Sequence, residues 1–286
     1  MRYKLSAPAT LHTTIQLPAS KSISNRALIL HALAQGHIAP SNLSDCDDTR
    51  VMIKALDGNP GHIDILAAGT AMRFLTAYLS VTPGTRIITG TERMQQRPIR
   101  ILVDALRELG AQIEYAGKEG FPPLRITGTE LTGEEISLAG NVSSQYISAL
   151  LMIGPILKNG LRLNLTGEII SRPYINLTLQ LMKEFGADAA WSSESSITVR
   201  PGKYRDIPFT VESDWSGASY WYQMVALIQD NEKKESTKTE IKLPGLLPHS
   251  YQGDSRGAEI FAKLGVHTTY TDQGVVLTKM GTPVTC

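Results

Sequence analysis

Runs of apolar residues at helical spacing recur along the chain, and each opens on small or hydroxyl residues. This pattern predicts helices over 22–30, 69–79, 143–152, 171–182 and 216–227. Serine, threonine and glycine suit such openings because they cap the first free N–H groups of a helix or leave them exposed. Three further stretches share one motif: Ala105 to Ala111 (ALRELGA), Leu181 to Ala187 (LMKEFGA) and Phe261 to Val266 (FAKLGV). Each reads as a helix that ends at a glycine and passes into a strand, since a helix end favours a residue in the left-handed region. Alternation from Ala111 to Tyr115 fits a half-buried strand. Gly110, Gly186 and Gly265 stand 76 and 79 residues apart. That period is too long for a solenoid and suits a unit of helices and strands repeated with pseudo-symmetry. Arg97-Pro98 and Arg172-Pro173 precede two of the stretches at nearly equal distance, which favours true repetition over a common helix exit. The charged run from Asp230 to Thr239 reads as the solvated tip of a hairpin.

Composition narrows the class. The 286 residues, 42% of them hydrophobic, can bury one large core or two modest ones. With 28 basic and 27 acidic residues the net charge is +1, so nothing draws the whole surface to nucleic acid or an anionic membrane. Any anion site must be local. No leader-like apolar stretch opens the chain and no window is apolar enough to span a bilayer, which predicts a cytoplasmic protein. Cys46 and Cys286 form neither a disulfide framework nor a metal cluster, and the six histidines show no ligand spacing, so no metal or organic cofactor is expected.

The candidate chemistry gathers at helix openings. In Pro18 to Leu28 (PASKSISNRAL), Lys21, several hydroxyls and Arg26 surround the first turn of an apolar helix. Free N–H groups and the helix dipole favour an anion there; Lys21 adds a point charge and Arg26 a fork matched to oxyanions. Taken alone the two cations also suit a solvated helix start. Gly69-Thr70 could bring a ligand close to the backbone, and Arg97 stands just before a proline at another helix start. Ser143-Ser144-Gln145 can hydrogen-bond phosphate and ring hydroxyls without adding charge, and one plain N-cap does not account for all three. Ser171 and Tyr174 form a fifth hydroxyl-rich opening. Converging positive helix ends would make an electropositive cleft in a nearly neutral protein. Metalloprotease, nucleophile-elbow, P-loop and dinucleotide signatures are all missing from the sequence.

Taken in order, Lys21-Ser22 with Arg26, Ala68 to Arg73, Arg97-Pro98, Val142 to Gln145, Ser171 to Tyr174, Asp214 to Tyr220 and Gln252 to Asp254 resemble the motifs of 5-enolpyruvylshikimate-3-phosphate synthases. The likeness spans nearly the whole chain. It implies an α/β (α+β) fold of βαβαββ units in two domains with a cleft between them. Residues 20–213 would form one complete inserted domain, and residues 1–19 with 214–286 a partial, discontinuous one. It implies transfer of the enolpyruvyl group of phosphoenolpyruvate to the 5-hydroxyl of shikimate 3-phosphate, with release of phosphate, by a cytoplasmic monomer without cofactor. Ser22, Arg26, Ser143, Ser144, Gln145, Ser171 and Tyr174 would hold shikimate 3-phosphate; Lys21, Gly69, Arg97 and Gln145 would face phosphoenolpyruvate, with Lys21 catalytic. Partners would be these two small molecules, with no nucleic acid and no membrane.

The sequence departs from the resemblance in four places. Family members continue past the position of Cys286, and their acid–base Asp and Glu, a late Lys and the clamping arginines belong to that continuation; a truncated chain is expected. Ala67 stands where Asn is usual, and Phe74 where Pro usually follows the arginine. The span from Val51 to Ile65 is shortened, which predicts a first unit lacking part of its helix and hairpin. Asp214 is expected in a structural, hinge-like role. Two alternatives remain: a non-catalytic module that binds shikimate 3-phosphate, and the sister transferase acting on UDP-N-acetylglucosamine, against which Lys21-Ser22 replaces that family's Lys-Asn and Cys46 lies outside any resemblance to its reactive loop.

Overall fold

The computed structural model describes residues 11–58, 60–228 and 239–280. In chain order β1 (His12–Thr14) leads into α1 (Lys21–Leu33) and α2 (Asp47–Leu56). There follow β2 (His62–Asp64), α3 (Gly69–Val81), β3 (Gly84–Thr89), α4 (Glu92–Gln95), α5 (Arg100–Glu108), β4 (Gln112–Tyr115) and β5 (Leu124–Gly128). Next come β6 (Glu135–Ala139), α6 (Ser144–Ile153), β7 (Leu161–Thr166), α7 (Arg172–Glu184), β8 (Ala189–Trp191) and β9 (Ser196–Val199). The chain closes with α8 (Trp215–Leu227), β10 (Glu240–Pro244), α9 (Gly257–Ala262), β11 (Val266–Thr271) and β12 (Gly274–Lys279).

Three four-stranded sheets share one topology: β1-β10-β12-β11, β2-β3-β5-β4 and β6-β7-β9-β8. In each, the first two strands pair in parallel and the last two form an antiparallel hairpin; a helical crossover joins β2 to β3 and β6 to β7, while Lys21–Val211 and α8 come between β1 and β10 in the chain. This is the βαβαββ repeat. The glycine of each motif ends its second helix at positive φ: 100° at Gly110, 89° at Gly186 and 78° at Gly265. A side chain there would be strained, and the left-handed turn sends the chain into the third strand of the unit. The shortened span carries α2, a ten-residue helix, and then β2; no hairpin separates them among the described residues. The run expected as a hairpin tip lies outside the described residues, except for buried Thr239.

The chain divides into two compact units, Lys21–Val211 and a discontinuous one made of Met1–Ser20 with Glu212–Cys286. In Lys21–Val211, α1, α3 and α6 bury residues on nearly every side, as their largely unbroken apolar runs require. They pack on one another and, together with α7, form the helical centre of the unit. Arg26, Arg73, Ser148 and Thr178 are buried in this layer. In the discontinuous unit Trp215, Tyr222 and Val225 of α8 pack on Ile241, Leu243, Val275 and Leu277 of its sheet.

Candidate active site

The second turns of α1, α3, α6 and α7 meet inside Lys21–Val211 at Arg26. Its Nε donates to Thr178 Oγ1 of α7 at 2.7 Å and its Nη2 to Ser148 Oγ of α6 at 2.9 Å. Its Nη1 folds back to the Ser22 carbonyl of α1 at 2.9 Å. The guanidinium also lies over the Phe74 ring of α3, 5.2 Å from its centroid. The residues that Arg26 touches on α3, α6 and α7 lie in the second turn of each helix, so each opening is within two turns of this knot. At 1.5 Å per residue, Arg26 sits about 7 Å below Lys21 along α1. Burial pulls the Arg26 pKa down to about 10, opposed by the neighbouring Tyr174. It makes no ion pair with a carboxylate among the described residues. A buried cation with hydrogen bonds but no counter-charge favours an anion placed above it.

A second cationic group surrounds the opening of α3. Arg73, 5% exposed, donates through Nη1 to the Gly69 carbonyl at 3.0 Å and through Nη2 to the Pro98 carbonyl at 3.4 Å. Its guanidinium lies 5.7 Å from the centroid of Tyr146, whose hydroxyl donates to the same Pro98 carbonyl at 2.8 Å. The pair fixes the segment that carries Arg97. The Arg97 guanidinium lies against Gly69, and its pKa is lowered first by burial and then by the charge of Arg73. Two cations held side by side supply a strong local field for a small anion.

Each expected site residue has a definite place. Lys21 opens α1, exposed, and Ser22 follows half-buried. Ser143 is the N-cap of α6, accepting from the Gln145 N–H at 3.3 Å; Ser144 is its first helical residue. Gln145 reaches across to α3, its Nε2 donating to Thr70 Oγ1 at 3.1 Å, while the Thr70 N–H donates to Asp48 Oδ1 at 3.3 Å. Ser171 precedes α7 without capping it through its side chain, and Tyr174 stands exposed in the first turn. Two expectations change in detail. Arg26 was expected as a fork open to an oxyanion; with 3% exposure its fork instead grips the protein's own hydroxyls. Gly69 was expected to admit a ligand to the backbone, and the group that approaches it is Arg97. Ser148, Thr178 and the Arg73–Tyr146 pair escaped the sequence reading; a hydroxyl or arginine inside an otherwise apolar run was the available signal. Among the described residues no group of His, Cys, Asp and Glu could hold a metal ion.

Four helix openings near the buried Arg26 and Arg73 and the exposed Arg97 make an arrangement chemically suited to small polyanions. The sequence model of EPSP synthase (3-phosphoshikimate 1-carboxyvinyltransferase) matches residues 5–58 and 59–285. The chain belongs to the EPSP synthase family. It is 71% identical over 284 residues to the 3-phosphoshikimate 1-carboxyvinyltransferase of Bacteroides fragilis, covering 99% of this chain and 67% of that protein. The enzyme of the same name from Shewanella halifaxensis is 38% identical, covering 92% of this chain and 66% of the relative. EPSP synthase from Acinetobacter baumannii shares the fold at a TM-score of 0.77 and 20% identity, across 96% of this chain and 65% of that one. The chain therefore spans about two thirds of the length of the relatives it matches.

Proposed function

We propose that the chain serves the reaction its relatives are named for, carboxyvinyl transfer from phosphoenolpyruvate to the 5-hydroxyl of shikimate 3-phosphate. The hydroxyl oxygen bonds to C2 of the enol, the bond from C2 to the bridging oxygen breaks, and phosphate leaves with the hydroxyl proton. The observation that carries the reading is the knot at Arg26, which holds three hydroxyl-bearing helix openings around one buried positive charge. A phosphorylated polyol matches such a site: helix N–H groups and serine hydroxyls for the phosphate, and Gln145 and Tyr174 for ring hydroxyls. Ser22, Ser143, Ser144 and Ser171 stand at those openings. Lys21, Gly69, Arg97 and Gln145 form the phosphoenolpyruvate side, where the field of Arg73 and Arg97 stabilises the negative charge of the enol phosphate.

The unit Lys21–Val211 is the domain that carries the shikimate 3-phosphate site, and the protein acts as a cytoplasmic monomer. No helix of the described residues is long and apolar enough to cross a membrane. The reading of the chain as a nucleotide-sugar transferase finds no support among the relatives, which carry the name of the shikimate enzyme. The test is calorimetric titration with shikimate 3-phosphate, comparing the chain with a Lys21→Met, Ser144→Ala variant. Saturable binding that the variant weakens supports the reading; binding of UDP-N-acetylglucosamine in its place would overturn it.

A further inference from the structure

Thr178 and Ser148 lie in the middle of α7 and α6, are fully buried, and belong to no motif that marked the site. Their hydrogen bonds have one consistent direction. The Thr178 hydroxyl donates to the Tyr174 carbonyl at 2.8 Å, which uses its one proton. It must then accept from Arg26 Nε at 2.7 Å, since a guanidinium only donates. The Ser148–Thr178 contact at 2.8 Å must likewise run from Ser148 to Thr178, leaving the Ser148 oxygen to accept from Arg26 Nη2. The chain of donation runs from Arg26 through Ser148 and Thr178 to the Tyr174 carbonyl. It joins α1, α6 and α7, and each group in it has one role.

We propose that Thr178, seconded by Ser148, is a positioning residue: it fixes the Arg26 guanidinium and the first turn of α7, and so pre-forms the capture site for the phosphorylated polyol. The inference rests on the substrate reading above. The Phe74 ring lies 5.2 Å from the guanidinium carbon and the Ser22 carbonyl holds Nη1, which leaves the two hydroxyls to fix Nε and Nη2. An arginine free to turn in a buried site would lose its aim, and ordering it again would reduce affinity without touching the ligand's own contacts. Val in place of Thr keeps the β-branched outline of residue 178 and removes the acceptor and the donor together, whereas Ser keeps both.

The experiment compares the full chain with Thr178→Val, Thr178→Ser and Ser148→Ala. It reads thermal unfolding, calorimetric affinity for shikimate 3-phosphate, and the Arg26 Nε–H resonance in ¹⁵N-labelled protein without ligand. The expected result is a folded T178V with affinity lowered about tenfold, the scale of one lost charge-assisted hydrogen bond. T178S should bind close to the original, and the slowly exchanging Nε–H signal should be present in the original and T178S and lost in T178V. A folded T178V with unchanged affinity and an unchanged Nε–H signal would overturn the proposal. Should the unsubstituted chain fail to bind shikimate 3-phosphate, the substrate reading falls; the Nε–H signal then decides the positioning role alone, its loss in T178V supporting it and its persistence overturning it. If T178V does not fold, S148A is read by affinity and by the Arg26 Nη2–H signal, since Ser148 accepts from Nη2: lowered affinity with that signal lost supports the proposal, and both unchanged overturn it.

Discussion

A β-carbon on Gly69 would stand 2.5 Å from Nη1 of Arg97 and 2.9 Å from its Cζ, so the guanidinium occupies the space that any larger residue at position 69 would need. The backbone at Gly69 is helical and has no requirement for positive φ. The constraint at this position is therefore contact with Arg97 and not chain conformation.

Gly69→Ala should consequently leave the fold intact and impair anion binding. Arg97 is the far end of a flexible, exposed side chain and can swing aside at little cost, while alanine is the better helix former by about 1 kcal/mol. Displacing the guanidinium forfeits a charge-assisted contact, so phosphoenolpyruvate affinity should fall about tenfold or more with the melting temperature nearly unchanged. Because both act through one contact, Arg97→Ala and Gly69→Ala should not add in the double variant. Calorimetry across the four proteins would show this; full additivity would refute the shared contact.

The second prediction concerns pH. Glu212 is 8% exposed, and burial raises its pKa against the opposing hydrogen bond from Ser250 at 2.6 Å. A carboxyl whose pKa is higher folded than unfolded adds stability below its unfolded pKa, and that contribution is lost as pH rises through the folded value. At neutral pH the buried charge is a net cost. Glu212→Gln should therefore stabilise the unit that contains it at pH 7, and the advantage should vanish in acid, below the ordinary glutamate range. Urea unfolding of both proteins at the two pH values measures it; an advantage independent of pH would contradict the assignment.

The discontinuous unit offers a capping test. Asp214 accepts from the N–H groups of Ser216 and Gly217, each at 3.2 Å, and so closes the start of α8. Asp214→Ala should lower the unit's stability by about 0.5–2 kcal/mol, and Asp214→Asn should recover most of the loss. Chemical denaturation followed by the fluorescence of Trp215, which is buried in the first turn, reports on this helix directly. Equal stability of the alanine and asparagine variants would remove the cap from the account.

How much of this was legible in the sequence depends on which force decided each feature. The helices and the glycine exits were readable because local rules set them: apolar period, hydroxyl openings, and the left-handed turns at Gly110 and Gly186. The presence of the site residues at helix openings followed from the same rules. The state of Arg26 did not. In α1 the residues Ser24, Asn25 and Arg26 are all buried, so no polar face of the helix distinguishes an inward arginine from a solvated one. Thr178 and Ser148 stayed hidden for the same reason, because their partners lie 152 and 122 residues away along the chain. The Gly69–Arg97 contact was equally out of reach; a glycine demanded by a distant side chain looks like one demanded by the backbone.

The last prediction follows from where the two units part. The nine residues proposed to touch substrate lie in Lys21–Val211, and so do Arg26, Arg73, Ser148 and Thr178. The end of that unit is secured within it: the Val211 N–H donates to the Ser41 carbonyl at 3.1 Å, and the Val211 carbonyl accepts from Asn42 Nδ2 at 2.6 Å. Ser20 and Glu212, which flank the cuts, are joined by a backbone hydrogen bond at 2.9 Å, so the polypeptide leaves and returns at one place. A segment closed in this way, with its own core, should fold when expressed alone. The fragment 21–211 should unfold in one cooperative step and bind shikimate 3-phosphate with an affinity close to that of the chain, since the helix openings and the Arg26 knot come with it. Cooperative unfolding without binding would show that residues outside the unit complete the shikimate 3-phosphate site, and a fragment without a cooperative transition would show that the core of Lys21–Val211 depends on the rest of the chain.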